Sequence, residues 1–433
     1  MSLAFVGVIG IISLLFILFF FGMPVGFSMA IVGFAGFSYV INLNAGLNMT
    51  GSVFWSVCSN YGLTVIPLFI FMGQIAFYSG VNKRLYKAAH QWVGHIRGGL
   101  AMATIMACSA FAAICGSNTA TAATMSTVAL PEMKKYGYSS ILSTGAIACG
   151  STLGVVIPPS VVLIIIGLAT EQSIVKLFYG SIGAGILLTL LFVATIALVC
   201  RMKPEWGPVA AKSSVKEKIA SLSGGIEMLI LFFLIMAGLY IGFFTPSEAG
   251  AAGSFLALVI SVVRKTLSWH DFKNAVKDTL GISCMVIMLI AGAMIFGRFL
   301  AITRIPFDLA SFVAGLEVSD TMIMICISLI YIAGGAIMDA LALLLITIPI
   351  FFPLAMEMGY DPIWFAVTIT IITTLGAVTP PVGATTYVVA GIAENVPLKD
   401  VFKGVALFLP AYILTIILLI FFPDIITWLP GFI

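Results

Sequence analysis

Charge is scarce in this chain: only 9% of its 433 residues are Asp, Glu, Lys or Arg, against roughly a quarter in an ordinary soluble domain. That shortage excludes a water-soluble globular fold. A net charge of +3, with basic residues scattered in short clusters, gives no footprint for a nucleic-acid partner. Histidine is almost absent, and His90, His95 and His270 fall in predicted loops or surface helices. There is no H-E-x-x-H, no G-x-S-x-G and no P-loop spacing, so no catalytic residues and no organic cofactor are expected. The seven cysteines are odd in number, lie mostly in apolar runs and show no C-x-x-C spacing; they read as small hydrophobes. No Lys or Arg precedes Lys83, so the opening apolar run lacks the basic n-region of a signal peptide and reads as a span.

What is abundant is apolar sequence, 61% of the chain. Apolar segments fall at 3–22, 27–44, 61–80, 99–133, 139–170, 177–200, 226–243, 249–263, 278–300, 319–356, 363–393 and 404–428, which predicts an all-α polytopic membrane protein. Four segments are too long for one simple span. Those at 99–133 and 319–356 break at Cys115-Gly116-Ser117-Asn118 and from Ala333-Gly334-Gly335 through Met338-Asp339. Each half is then about 15 residues, short of the roughly 30 Å of hydrocarbon at about 1.5 Å per residue, and both segments read as re-entrant hairpins. Those at 139–170 and 363–393 are interrupted by Pro158-Pro159 and Pro380-Pro381 and read as spans made of two half-helices.

Basic residues test this count, because a hairpin returns the chain to the side it came from while a span does not. Ten spans, two hairpins and an outside N-terminus put all 20 Lys and Arg except Lys176, Arg298 and Arg304 on the cytoplasmic side. The halves also resemble each other at a constant offset of 222 residues, pairing Pro131 with Pro353, Gly137-Tyr138 with Gly359-Tyr360, Thr152-Leu153-Gly154 with Thr374-Leu375-Gly376, and Pro158-Pro159 with Pro380-Pro381. Shared apolar composition cannot match Gly, Tyr and double Pro. The first hairpin enters from the cytoplasm and the second from outside, so the repeats are inverted. The expected organisation is scaffold spans at 1–60, a first repeat at 61–200, central scaffold spans and cytoplasmic connections at 201–277, and a second repeat at 278–433. Inverted repeats with discontinuous helices point to a carrier with a midplane site.

Non-helical backbone at membrane depth must be satisfied by protein, water or ions, so four breaks meeting at the midplane predict a polar pocket. Gly116 through Thr121 and Ser151 through Ser160 supply one half; Gly335 to Asp339, Thr373 to Pro381 and Thr385-Thr386 supply the other. Carbonyls at half-helix C-termini with Ser, Thr and Asn oxygens suit a hard monovalent cation, and half-helix N-termini suit an anionic group. Asp339, in the middle of an apolar hairpin, reads as a residue near an ion in preference to a structural hydrogen bond. Glu248 reads as a capping-box partner of Thr245, and Arg298 as a snorkelling residue in preference to a substrate partner. The stretch 82–97 reads as an amphipathic helix on the membrane surface, with 304–316 its counterpart.

At these motifs the chain resembles the large membrane subunit of the tripartite ATP-independent periplasmic (TRAP) transporters. The resemblance rests on Gly116-Ser117 with Ala120-Thr121, Leu130 to Lys135 with Gly137-Tyr138, Leu153-Gly154 with Ile157 to Ser160, Phe244 to Pro246 with Glu248-Ala249, Met338-Asp339, and Gly376 with Thr379 to Gly383. One departure is Val155, where the family often has proline. The resemblance implies sodium-coupled uptake of a small organic acid, such as a C4-dicarboxylate or sialic acid, by an elevator mechanism across the bacterial inner membrane, with both termini periplasmic. It implies as partners a small four-helix membrane subunit and a periplasmic substrate-binding protein, besides lipid. One sodium site would comprise Gly335, Gly376, Thr379 and Val382, and the repeat suggests a second around Ser117, Asn118, Gly154, Ile157 and Ser160. Substrate would meet Asn118, Thr119, Asp339, Thr385 and Thr386. A single-component sodium–dicarboxylate carrier of the same architecture is the alternative within transport; a channel or scaffold is the alternative outside it.

Overall fold

The computed structural model describes residues 2–210, 214–222, 226–314 and 319–433. Among them every regular element is helical. The chain opens with α1 (Leu3–Phe16, continued by a π-helical turn to Phe21), α2 (Val25–Val40), α3 (Leu43–Ser59) and α4 (Val65–Tyr78), and then lays down α5 (Val81–Val93). The first hairpin is α6 (Gly99–Cys115) and α7 (Asn118–Lys135); the first broken helix is α8 (Ser140–Ser151) with α9 (Leu153–Val156), then α10 (Val161–Ala169). After α11 (Ile174–Met202) come α12 (Val215–Leu222), α13 (Ile226–Tyr240), α14 (Pro246–Val263), α15 (Trp269–Ile302) and α16 (Ile305–Ala314). The second hairpin is α17 (Asp320–Gly335) and α18 (Ala340–Glu357), the second broken helix α19 (Pro362–Gly376) and α20 (Ala384–Ile392), and α21 (Leu398–Ala406), α22 (Leu409–Phe421) and α23 (Asp424–Thr427) close the chain.

Seven helices among the described residues are long and apolar enough to cross a membrane, and the pair Ser140–Val156 and Val161–Ala169, bent by 41°, makes an eighth. One of the seven is α18, a hairpin arm. The arms, expected at about 15 residues, measure 17, 18, 16 and 18. In the second hairpin α17 runs straight through Gly334-Gly335, and the break falls at Ala336 to Asp339. Length therefore does not distinguish arm from span here. Both arms of each hairpin lie on the first half of the following broken helix, α6 and α7 on α8, α17 and α18 on α19.

The reading missed α3 and shortened α15. Asn48, Thr50 and Ser52 blur any apolar stripe in α3, and its helix is set by Asn42, whose side chain accepts from Ala45 N at 2.8 Å, and by packing on α2 and α15. The α15 helix starts at Trp269, well before the expected 278, because Ser268 caps it by accepting from Asp271 N at 3.1 Å. The expected surface helix at 82–97 ends at Val93, and its counterpart is described as Ile305–Ala314; residues 315–316 lie outside the described residues. The capping box is as expected, Thr245 N donating to Glu248 Oε2 at 2.8 Å and Glu248 N to Thr245 Oγ1 at 3.3 Å.

A frame forms where α15 runs along α2 and α4, with α14 against α4 and α16 near α1. Lipid tails are as apolar as leucine, so such contacts depend on backbones approaching closely. A Cβ on Gly26 would lie 2.9 Å from the Met288 carbonyl carbon, and one on Gly292 would lie 2.1 Å from Gly26 O. Any side chain at either position would push α2 off α15.

Candidate functional site

Two hairpin tips and two broken helices form the centre of the molecule. Four half-helices start there, α7, α10, α18 and α20, and the C-terminal ends of α6, α9, α17 and α19 stop there. Positive and negative helix ends thus face a common region, where an anion and a cation can each find a complementary dipole. The starts are capped by the residues the chain supplies: Ser117 for α7, Ser160 for α10 and Asp339 for α18.

In the second repeat the main chains of hairpin and broken helix touch. A Cβ on Gly376 would lie 2.6 Å from Gly335 Cα, and one on Gly335 would lie 2.8 Å from Thr373 O. Ala336 O accepts from Val382 N at 3.0 Å and from Gly383 N at 3.1 Å, lacing the hairpin tip to the Pro380-Pro381 loop. Thr379 Oγ1 donates to Gly376 O at 3.0 Å. Gly335, Gly376, Thr379 and Val382 therefore sit around one junction.

The first repeat builds the matching junction. A Cβ on Gly154 would lie 2.6 Å from Ser117 O, and one on Gly116 would lie 2.9 Å from Pro159 O. Ser160 Oγ donates to Val155 O at 2.7 Å, and Ile157 N to Leu153 O at 2.9 Å. Val155 is helical, its N–H donating to Thr152 O at 3.2 Å, a bond that proline could not make. Ser117, Gly154, Ile157 and Ser160 are thus gathered, with Asn118 at their edge.

Asn118 joins the two repeats. Its Nδ2 donates to Thr385 Oγ1 at 3.3 Å, its Oδ1 accepts from Thr119 N at 2.8 Å, and both Asn118 and Thr385 are buried. Thr119 faces partly open space beside them. Thr386 is fully buried, and its hydroxyl donates to Val378 O at 2.8 Å, which spends it on the loop. Asp339 is exposed at the second tip, and its carboxylate accepts from Leu341 N at 3.0 Å. A structural capping bond, which the sequence reading ranked below an ion contact, is therefore present. Arg298 sits near the end of α15, away from both junctions.

Sequence reasoning missed a second layer. The Thr152 hydroxyl bonds the hydroxyl of Tyr412, tying the last long helix to the first break. Thr347 Oγ1 donates to Tyr331 OH at 2.8 Å, joining the two arms of the second hairpin. A lone tyrosine in an apolar run was the only available signal.

The two junctions differ in their surroundings. On the second-hairpin side, α18 packs on α15, α16 and α2, and α10 packs on α4. The principal neighbours of α7 are instead α5, α6, α8, α9 and α20, and those of α20 are α7, α8 and α21. The loop at Pro380, Pro381 and Val382 is exposed, whereas Pro158, Pro159 and Ser160 are buried.

Comparison with known proteins agrees with this architecture. The family model of the tripartite ATP-independent periplasmic transporter DctM component matches residues 12–425. The chain is 34% identical over 373 residues to the C4-dicarboxylate TRAP transporter large permease protein DctM of Pseudomonas aeruginosa, covering 86% of this chain and 87% of that one. It is 29% identical over 414 residues to the sialic acid TRAP transporter large permease protein SiaM of Vibrio cholerae, covering 95% and 96%. Among solved structures, the Alcanivorax borkumensis YdaH transporter shares the fold at a TM-score of 0.64 with 13% identity, over 89% of this chain and 90% of that one. The chain belongs to the DctM-component family of TRAP transporters, as a multi-pass inner-membrane transporter protein and not an enzyme.

Proposed function

We propose that this chain carries a small organic acid into the cell, driven by sodium, by moving its two hairpins and two broken helices as one body through a frame made of the remaining spans. The observation that carries this reading is the Asn118 to Thr385 contact, which closes the two junctions into a single unit across the inverted repeat. A unit that holds its whole site can expose it to either face only by moving bodily.

Sodium fits both junctions chemically. Each brings backbone so close that a Cβ would fill the space, which favours carbonyl donors, and each adds a hydroxyl. Gly335, Gly376, Thr379 and Val382 would hold one ion; Ser117, Asn118, Gly154, Ile157 and Ser160 would hold another. Substrate would meet Asn118, Thr119, Asp339, Thr385 and Thr386 between them. The organic-acid class follows from the anions named for the relatives, and the same kinship supports a small four-helix membrane subunit and a periplasmic binding protein as partners, with both termini periplasmic.

The test is uptake in proteoliposomes holding this chain and its small partner, with the binding protein outside. Accumulation should require an inward sodium gradient. Equal accumulation with potassium replacing sodium on both sides would refute the coupling, and full uptake without the binding protein would favour a single-component carrier.

A further inference from the structure

A cavity of 680 Å³ lies between α5, α7 and α12, outside the hairpin junctions. Its walls carry both signs of charge: Lys83 and Lys87 from α5, Glu132 from α7 and Glu217 from α12. Among the described residues no ion pair joins either lysine to either glutamate. The Glu217 carboxylate is held by Ser214, whose N–H donates to Oε2 at 2.7 Å, and so is fixed in place as a wall. Tyr86 and Gln91 complete the lining between these charges.

The ligand these walls fit carries one anionic and one cationic group. Cations on one side and carboxylates on another would leave half the site unanswered by a purely anionic ligand. Apolar side chains stand exposed on the same two helices, Trp92 at 44%, Val215 at 72% and Ile219 at 63%. An amphipathic helix with such residues lies in the membrane interface, where acyl chains cover them. We propose that this cavity binds the phosphoethanolamine headgroup of an inner-leaflet phospholipid. Lys83 and Lys87 take the phosphodiester; Glu132 and Glu217 take the ammonium. The lipid thereby bridges the surface helix α5 and the hairpin arm α7. The site rests on the inner-face placement of α5, and it stands apart from the identity of the coupling ion.

Native mass spectrometry of the full chain, released from detergent after incubation with phosphatidylethanolamine, phosphatidylglycerol and phosphatidylcholine of identical acyl chains, reads this directly. One phosphatidylethanolamine should be retained with roughly tenfold preference over the other two, because choline cannot donate hydrogen bonds and glycerol carries no cation. Lys83→Ala with Lys87→Ala should lower retention of all three lipids at least tenfold, because they share the phosphodiester. Should that pair prove unstable, the isosteric Glu132→Gln should still raise phosphatidylglycerol to parity with phosphatidylethanolamine. Equal retention of the three lipids by the unaltered chain, or an unchanged preference in Glu132→Gln, would overturn the proposal. So would displacement of the lipid by an equal concentration of soluble phosphoethanolamine, which would make the occupant a cytoplasmic solute. Transport is not measured, so failure of sodium coupling leaves this result intact.

Discussion

Replacing Gly376 by alanine tests the geometry of the second junction directly. The new Cβ would sit 2.6 Å from Gly335 Cα and 2.8 Å from both Gly335 C and Ile332 O. Non-bonded carbons settle at about 3.5–4.0 Å, so the hairpin tip must retreat from the broken helix by about 1 Å. All three obstructing atoms are backbone, so no rotamer change relieves the clash. Overpacking of this sort costs about 1–3 kcal/mol. A binding constellation tolerates about 0.5 Å of displacement, so the cost should fall on ion binding, where 1–3 kcal/mol is roughly a 5- to 150-fold loss of affinity. The assay is the sodium concentration for half-maximal uptake in proteoliposomes, with sodium-dependent thermal stabilisation as an independent readout. Gly391→Ala is the control, since a Cβ there meets nothing within 4 Å and α20 should tolerate it. Wild-type sodium affinity and turnover in Gly376→Ala would refute the placement of an ion at this junction.

Further outcomes follow from the same structure. Asp339→Asn should keep the cap on α18 and melt like the unaltered chain, while Asp339→Ala should lose about 1 kcal/mol of stability; a raised sodium requirement in the Asn variant would show that the charge serves a cation, and an unchanged one that the cap is its whole role. Burial lowers the His90 pKa below 6.5, opposed by Glu132 and reinforced by Lys135. The folded value is the lower one, so this contribution is present above 6.5 and is lost as pH falls through the folded value. The melting temperature should therefore drop more between about pH 7.5 and 5 in the unaltered chain than in His90→Gln, and equal drops would remove His90 from the acid response. Spin labels at Thr127 on α7 and Leu47 on α3 should give at least two distance populations shifted by sodium and substrate; one ligand-independent distance in an active preparation would favour local gating about a fixed site.

The sequence alone settled the class of this protein, because scarcity of charge and recurring apolar runs admit only a membrane interior as solvent. It also located two of the helix breaks, since Pro158-Pro159 and Pro380-Pro381 must interrupt helices wherever they fall, and matched Gly and Tyr residues exposed the repeat that pairs them. Those are local facts, carried by residue type and spacing. Other features depended on residues distant in the chain. The packing of α18 with α17 on α19 joins elements whose own length and apolarity would allow a span or a re-entrant arm. The α3 helix emerged from contact with α2 and α15 and not from its mixed sequence. Asn118 meets Thr385, and Thr152 meets Tyr412, across separations that no periodicity encodes. Which frame helices each hairpin meets is likewise a property of the assembled bundle, α6 packing on α4 and α5 and α18 on α15, α16 and α2, since the two halves carry nearly the same local signals and only their different neighbours distinguish them.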